Sequence, residues 1–416
     1  MAPRAPVRPS PIPLYRIDLS LPPEQRYLQI AQDFGPKMRE IKPLFDEVLS
    51  IIIPWPRLRH WIEFLASIFL RRVYSPEETR ELKGIAQASG IALYILIVLN
   101  VLLDSLLGCT SGGVMTALDK KGGKRAPGPE EERMLHFRTL DWGMDPLRNV
   151  LVELEFVRSR SEKPEKVIAR SVTYAGFVGV LTGVRWVQLF SFGKSHVLTW
   201  NREGLSISLN FRPNHYCSTF KLRLHQLLVI FSFRPSIASH LRNAIFPDVA
   251  EPSPKPIMEL TAAMAQQKAA PCYLVLCDGK TTAVIEKDLI GAKVRESKEF
   301  IVHTNHDTKS EDPAEPAQSE KSSLLGMELT LEESEERREC AQKKWDALVK
   351  RLDKKQNEAL EKGEAAQVKP PMVREDRLRE WVRAYPIMNE CTHFGCIMDA
   401  KTGTFRFLEK GSEDAR

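Results

Sequence analysis

The feature that most constrains this chain is a change of period at Cys109. Before it, apolar residues recur at helical spacing. Ile30, Phe34, Met38, Ile41 and Phe45 form one such set, and Trp61, Phe64, Leu65, Ile68 and Phe69 form another. Ser75-Pro76-Glu77-Glu78 reads as an N-cap with Pro in the first turn. After Cys109 the period changes to β. Val114 to Leu118, Leu135 to Thr139, Val150 to Val157 and Val167 to Tyr174 are strand-like runs separated by turns. Strand patterns continue through Leu205 to Phe211, Cys272 to Leu276, Thr281 to Glu286 and Phe300 to Thr304. A helical stretch from Lys221 to Phe246 is interrupted at Pro235. A charged helix is expected from Glu332 to Glu361, a shorter one from Asp376 to Tyr385, and a hairpin through Lys401-Thr402-Gly403 closes the chain. No repeat of solenoid or propeller length is apparent. The expected class is therefore α+β, helices first and mixed strands and helices after.

With 416 residues, 43% of them apolar, the chain can bury a large core. Its net charge of +6 is mild, and no basic face with interleaved aromatics marks a nucleic-acid surface. The Pro-rich start lacks the apolar core of a secretory signal. Seven widely spaced Cys and no Asn-x-Ser/Thr sequon favour a reducing, cytoplasmic compartment. Ile91 to Leu103 is too short to cross a bilayer and contains Asn100, so a buried helix is expected. Residues 1–12 and 306–330 have the composition of disordered or flexible segments. No metal-ligand spacing stands out: Cys272/Cys277 and Cys391/Cys396 lack accompanying ligands. The glycines from 176 to 183 lack the βαβ context of a dinucleotide site, so no cofactor is expected.

Several motifs in order resemble the acid ceramidase and N-acylethanolamine acid amidase family of N-terminal nucleophile hydrolases, relatives of the choloylglycine hydrolases. They are Pro22-Pro23-Glu24-Gln25-Arg26-Tyr27, Cys109-Thr110-Ser111, Asp119-Lys120-Lys121-Gly122 and Arg138-x-x-Asp141. Tyr174 to Gly183, Leu198-Thr199-Trp200-Asn201-Arg202-Glu203, Thr304-Asn305-His306-Asp307 and Glu335-Glu336-Arg337-Arg338 follow. The chain departs from the family at Arg202-Glu203, where the family order is Glu-Arg. It also carries inserts at Lys124 to Arg133 and after Asn305.

The resemblance implies an αββα four-layer sandwich with a helical N-terminal propeptide subunit. Residues 13–108 would form that subunit and residues 109–416 the catalytic one, a heterodimer made by cutting Gly108–Cys109. The released α-amine of Cys109, with an ordinary pKa of about 8, would serve as base for its own thiol. The glycine before it leaves the turn unobstructed. The resemblance further implies that Asp141 orients the α-ammonium, Arg138 stabilises the thiolate and Asn305 donates to the oxyanion. Arg337 would support the oxyanion side, and Glu203 would take part in cleavage or positioning. Arg138 and Asp141, three apart on a strand, would need a bend at Leu140 to meet. The bland alternatives are a buried packing Cys, a surface ion pair for Arg138 and Asp141, and a strand-closing Asn.

The implied substrate is a lipid amide, ceramide first and N-acylethanolamine second. The family resemblance points to a lysosomal compartment, against the cytoplasmic reading. The helices Trp61 to Phe69 and Ile91 to Leu103 would line an acyl channel or touch a membrane surface, with core packing the slightly favoured alternative for both. A Cys–His pair through His136 or His303 is the rival chemistry, without the sequence context of a papain-like enzyme. A non-cleaving scaffold is the rival of a different class.

Overall fold

The computed structural model describes residues 11–40, 43, 55–102, 108–118, 132–192, 198–213, 216–246, 256–308, 321–324, 327–361 and 370–412. The expected disordered segment at residues 1–12 and the hairpin insert at Lys124 to Arg133 lie almost wholly outside these.

Among the described residues the chain opens with β1 (Leu14–Asp18), a 3-10 turn (Pro23–Gln25) and the helices α1 (Leu28–Glu40), α2 (Pro56–Phe69), α3 (Pro76–Ser89) and α4 (Leu93–Leu102). Helix α3 starts as expected: Ser75 Oγ accepts from the Glu78 backbone N–H, and Gly90 ends the helix in the left-handed region at φ 73°. Then follow β2 (Gly108–Ala117), β3 (Glu132–Asp141), α5 (Asp145–Arg148), β4 (Leu151–Val157), β5 (Ala169–Tyr174), β6 (Thr182–Phe192) and β7 (Leu198–Phe211). Helices α6 (Thr219–Ile230), α7 (Ile237–Ile245) and α8 (Ile257–Gln266) lead to β8 (Cys272–Cys277), β9 (Thr282–Lys287), β10 (Ala292–Ser297) and β11 (Phe300–His303). The chain finishes with β12 (Lys321–Leu324), β13 (Met327–Thr330), α9 (Leu331–Glu361), β14 (Val373–Arg374), α10 (Glu375–Arg383), β15 (Thr392–Asp399) and β16 (Thr404–Lys410).

The strands build two large sheets. One has the order β1-β4-β5-β6-β7-β8-β9-β10, and the other runs β11-β2-β3-β15-β16 with β14 on β2. Their inner faces meet: β2 lies against β7, β8 and β9, and β3 against β8. Close approach needs small residues. A Cβ on Gly113 would stand 1.8 Å from Thr282 Oγ1 of the facing sheet. Outside, α7 and α8 pack on the eight-stranded sheet, and α10 packs on β2, β3 and β15. Ala341 and Trp345 of α9 join Val114, Phe137 and Val302 in an outer core. This is the expected four-layer αββα order.

Two details sharpen or correct the sequence reading. The N-terminal region is not helical alone: β1 pairs in parallel with β4 and so becomes an edge of the larger sheet. The segment expected to be flexible from residue 306 begins with buried residues. Asp307 is 2% exposed and accepts two hydrogen bonds from the Arg212 guanidinium, at 2.7 and 2.9 Å. Polarity in sequence misled here, since a carboxylate and a guanidinium that neutralise each other can be buried together. Further along the same segment, β12 and β13 pair as an antiparallel hairpin.

Candidate active site

Strand alternation explains the first half of the site. In the β2–β3 ladder Cys109 lies opposite Leu140 and Ser111 opposite Arg138. Cys109, Ser111, Arg138 and Leu140 therefore share one face, the face between the sheets. There the Arg138 Nη2 group donates to Cys109 Sγ at 3.3 Å, and Nη1 donates to the Leu209 carbonyl at 2.8 Å. Both residues are fully buried. Burial pushes the Cys109 thiol up to about 11, against the pull of the Arg138 charge. At neutral pH the thiol of the uncut chain is thus protonated.

The expected bend at Leu140 is absent, because β3 runs unbroken to Asp141. None is needed: Arg138 serves the thiol from the inter-sheet face, and Asp141 is held from elsewhere. Asp141 is the ladder partner of Gly108, the residue before the proposed cut. Its carboxylate accepts from Thr392 Oγ1 at 2.7 Å, and Arg337 Nε lies 3.9 Å away. Burial raises the Asp141 carboxyl, and Arg337 opposes the rise. Both Arg138 and Asp141 are at most 2% exposed, which removes the surface ion pair as an account of them.

Asn305, just past β11, ties the two halves together. Its Oδ1 accepts from the Cys109 backbone N–H at 2.8 Å and from Arg337 Nη2 at 2.9 Å. Its Nδ2 donates to the Phe211 carbonyl at 2.8 Å. Two donors on the oxygen and one acceptor on the nitrogen define which way the amide points. Arg337, on the second turn of α9, thereby bridges Asn305 and Asp141.

Glu203 is the exception. It lies on β7 opposite Val187, six residues before Leu209, whose carbonyl faces the Cys109 thiol. At about 3.3 Å per residue, its backbone is roughly 20 Å along the strand from that point. Its side chain is outside the described ones. The Asn on β7 that reaches the site is Asn210: Ser111 Oγ donates to its Oδ1 at 2.8 Å, and its Nδ2 donates to the carbonyls of His303 and Thr304 at 3.3 and 3.2 Å. The β-period of Leu205 to Phe211, which carries Asn210 near its end, was the available signal. Ser334 and Thr392 gave none, because nothing local distinguishes them.

The histidines do not pair with the thiol among the described hydrogen bonds. His136 bonds Ser206 Oγ at 3.1 Å and Ser208 Oγ at 2.9 Å, and burial pushes it down to about 3. The His303 ring bonds Arg295 at 3.0 Å. Among the described residues no three His, Cys, Asp or Glu side chains converge as a metal site would require.

A family model for the beta subunit of N-acylethanolamine-hydrolyzing acid amidase matches residues 10–74. Acid ceramidase of Heterocephalus glaber is 28% identical over 197 residues, 44% of this chain and 45% of that protein. N-acylethanolamine-hydrolyzing acid amidase of Caenorhabditis elegans is 31% identical over 181 residues, 41% of this chain and 44% of that protein. The matches thus span less than half the length of these curated relatives. A solved structure of the Caenorhabditis elegans N-acylethanolamine-hydrolyzing acid amidase (NAAA) ortholog covers 71% of this chain and 94% of its own, at 19% identity and a TM-score of 0.44. Over these stretches the chain is similar in sequence to acid ceramidase and to N-acylethanolamine-hydrolyzing acid amidase.

Proposed function

We propose that this chain is a self-processing cysteine amidase that hydrolyses lipid amides. One observation carries the reading: Asn305 holds the nitrogen of Cys109 while Arg138 holds its thiol, so both ends of one residue are gripped. In the first reaction the Cys109 sulfur attacks the Gly108 carbonyl carbon. A C–S bond forms, the Gly108–Cys109 C–N bond breaks, and the thiol proton passes to the departing nitrogen. Water then hydrolyses the thioester, leaving a carboxylate on Gly108 and a free α-amine on Cys109.

That amine, with an ordinary pKa of about 8, takes the thiol proton in the second reaction. The thiolate attacks the substrate amide, the amine product leaves with a proton, and water releases the fatty acid from the acyl-enzyme. Arg138 stabilises the thiolate, and Asp141 orients the α-ammonium. Asn305 offers a side-chain N–H to the oxyanion, a contribution of about 3 kcal/mol for such a donor. Arg337 supports Asn305. No role is proposed for Glu203, given its distance along β7.

Residues 13–108 and 109–416 would remain together as a heterodimer. Three buried connections support this. β1 is a strand of the larger sheet, Glu81 receives two hydrogen bonds from Arg242 at 2.7 and 2.8 Å, and Asn100 donates to the Gly176 carbonyl at 2.8 Å. Contact with a lipid surface is supported by α2 and α6. Trp61, Phe64 and Phe69 on α2 and Phe220 and Leu227 on α6 are all exposed beyond half of their area. No described helix is long and apolar enough to cross a membrane. Ceramide is the first substrate proposed, and N-acylethanolamine the second.

Intact-mass measurement after expression tests the reading. The expected result is a fragment beginning at Cys109, with the Cys109→Ala chain remaining whole. A wild-type chain that stays uncut at both acidic and neutral pH would instead support a scaffold. Fatty-acid release from ceramide and from N-acylethanolamine, measured side by side, separates the two substrates.

A further inference from the structure

We propose that Ser334 is a positioning residue for the nucleophile, acting through Asn305; this rests on Cys109 being the nucleophile. Asn305 and Arg337 belong to separate segments, one at the end of β11 and one on α9. Something must hold the two in register if a single amide is to grip the Cys109 nitrogen. Ser334 does so from the first turn of α9, three residues before Arg337. Residues so spaced lie on the same side of a helix, so one face of α9 presents both the hydroxyl and the guanidinium.

The hydroxyl is 1% exposed and engaged on all sides. Its oxygen accepts from the Asn305 backbone N–H at 2.8 Å. It also lies 3.0 Å from Thr304 Oγ1 and 2.8 Å from His306 Nδ1. The Ser334 carbonyl accepts from Thr304 Oγ1 at 2.9 Å. One serine therefore fastens three consecutive residues, with Asn305 in the middle. A hydroxyl has one hydrogen and two lone pairs, so these contacts use its whole capacity. Removing it, as in Ser334→Ala, takes this acceptor from the Asn305 N–H in a buried place. The amide of Asn305 then loses its fixed height relative to Cys109. Ser334 touches neither Cys109 nor the substrate path through the thiol, so its effect is on geometry alone.

The test has two arms. In the Cys109→Ala chain, which cannot cut itself, hydrogen exchange of the peptide 108–113 is followed by mass spectrometry. Ser334→Ala should speed exchange of the residue-109 amide about tenfold, the equivalent of one hydrogen bond. Ser334→Thr should restore it. Ser239→Ala removes a buried hydroxyl that donates to Glu78 at 2.8 Å, far along the chain from β11. It should leave this peptide unchanged. In the chain with Cys109 intact, Ser334→Ala should slow self-cleavage on the order of 100-fold, as expected for a small misplacement of reacting groups. In the processed enzyme it should lower kcat with KM unchanged. Unchanged exchange in Ser334→Ala, or equal loss in Ser334→Thr, overturns the proposal. If the wild type never cuts, the amidase reading fails, while the exchange arm still decides whether Ser334 sets the grip on residue 109.

Discussion

Helices α2 and α4 are both rich in apolar residues, and their fates are opposite. Leu96 and Ile97 of α4 are each 1% exposed, whereas α2 has no buried residue and exposes Trp61 and Phe69 at 63% each. Part of the difference is composition, since α2 carries Arg57, Arg59, His60 and Glu63 and α4 carries no ionisable side chain but Tyr94; part is one polar side chain. Asn100 of α4 donates to the carbonyls of Leu96 and Gly176 at 2.8 Å each, and accepts from the Val178 backbone N–H at 2.8 Å. Those bonds join α4 to the loop between β5 and β6, beside the sheet that carries Leu209. Among the described residues no side chain of α2 makes a comparable bond to another element, and its aromatic residues Trp61, Phe64 and Phe69 are exposed. Apolarity and a polar anchor act together here: the nearly all-apolar α4 gains by burial, and its one amide fixes where it can dock, because a buried polar group has few acceptable positions.

The buried side of this contrast should be sensitive to acid. Burial pushes His136 and His393 each down to about 3. Between that value and about 6.5 the unfolded chain binds more protons than the folded one, so stability falls as pH falls below about 6.5. Each histidine contributes about 1.4 kcal/mol per pH unit, or about 5.6 kcal/mol for the two over two units. Asp141 and Glu78, raised by burial, act in the opposite sense. Calorimetry of the Cys109→Ala chain should give a Tm that drops from pH 7 to 4.5, with a shallower slope in His136→Gln. A flat profile would mean that the inter-sheet layer is wet.

A smaller effect is expected at Asn100. Asn100→Leu keeps the size but leaves the Val178 N–H and the Gly176 carbonyl without their partner, a cost of about 3 kcal/mol. If chemical denaturation finds the variant as stable as the wild type, apolar packing alone docks α4 and the contrast loses its cause. The smallest stability change is expected on α2. Trp61→Ser combined with Phe69→Ser should alter stability by less than about 0.5 kcal/mol, as for other surface changes. The same pair should weaken sedimentation with phosphatidylcholine–phosphatidylserine vesicles by on the order of 100-fold, since each ring contributes about 1.5–3 kcal/mol when buried in lipid. A large fall in Tm would instead make α2 part of the core.

Much of the site was legible in the chain. Cys109, Arg138, Asp141, Asn305 and Arg337 were each picked out, and the structure brings them together. The boundaries of most elements followed from period and capping. What was missed has a common origin. Glu203 was chosen from a short motif, and only the length of β7 reveals that Asn210 is the asparagine at the site. A bend at Leu140 was expected to bring Arg138 and Asp141 together, whereas β3 pairs with β2 without interruption and keeps them on opposite faces. Ser334 has no local mark at all.

The sequence by itself determined the change from helix to strand at Cys109, the turns, and the residues able to act as nucleophile, cation and amide. Those properties depend on neighbours a few positions apart. Only the tertiary structure decided that Asn305 points its oxygen at a nitrogen 196 residues away, and that Thr392 reaches Asp141 across 251 residues. Such contacts arise from the stacking of two sheets, whose register is set by the combined burial of many side chains. No local pattern encodes the distance between two atoms that only that stacking brings into reach.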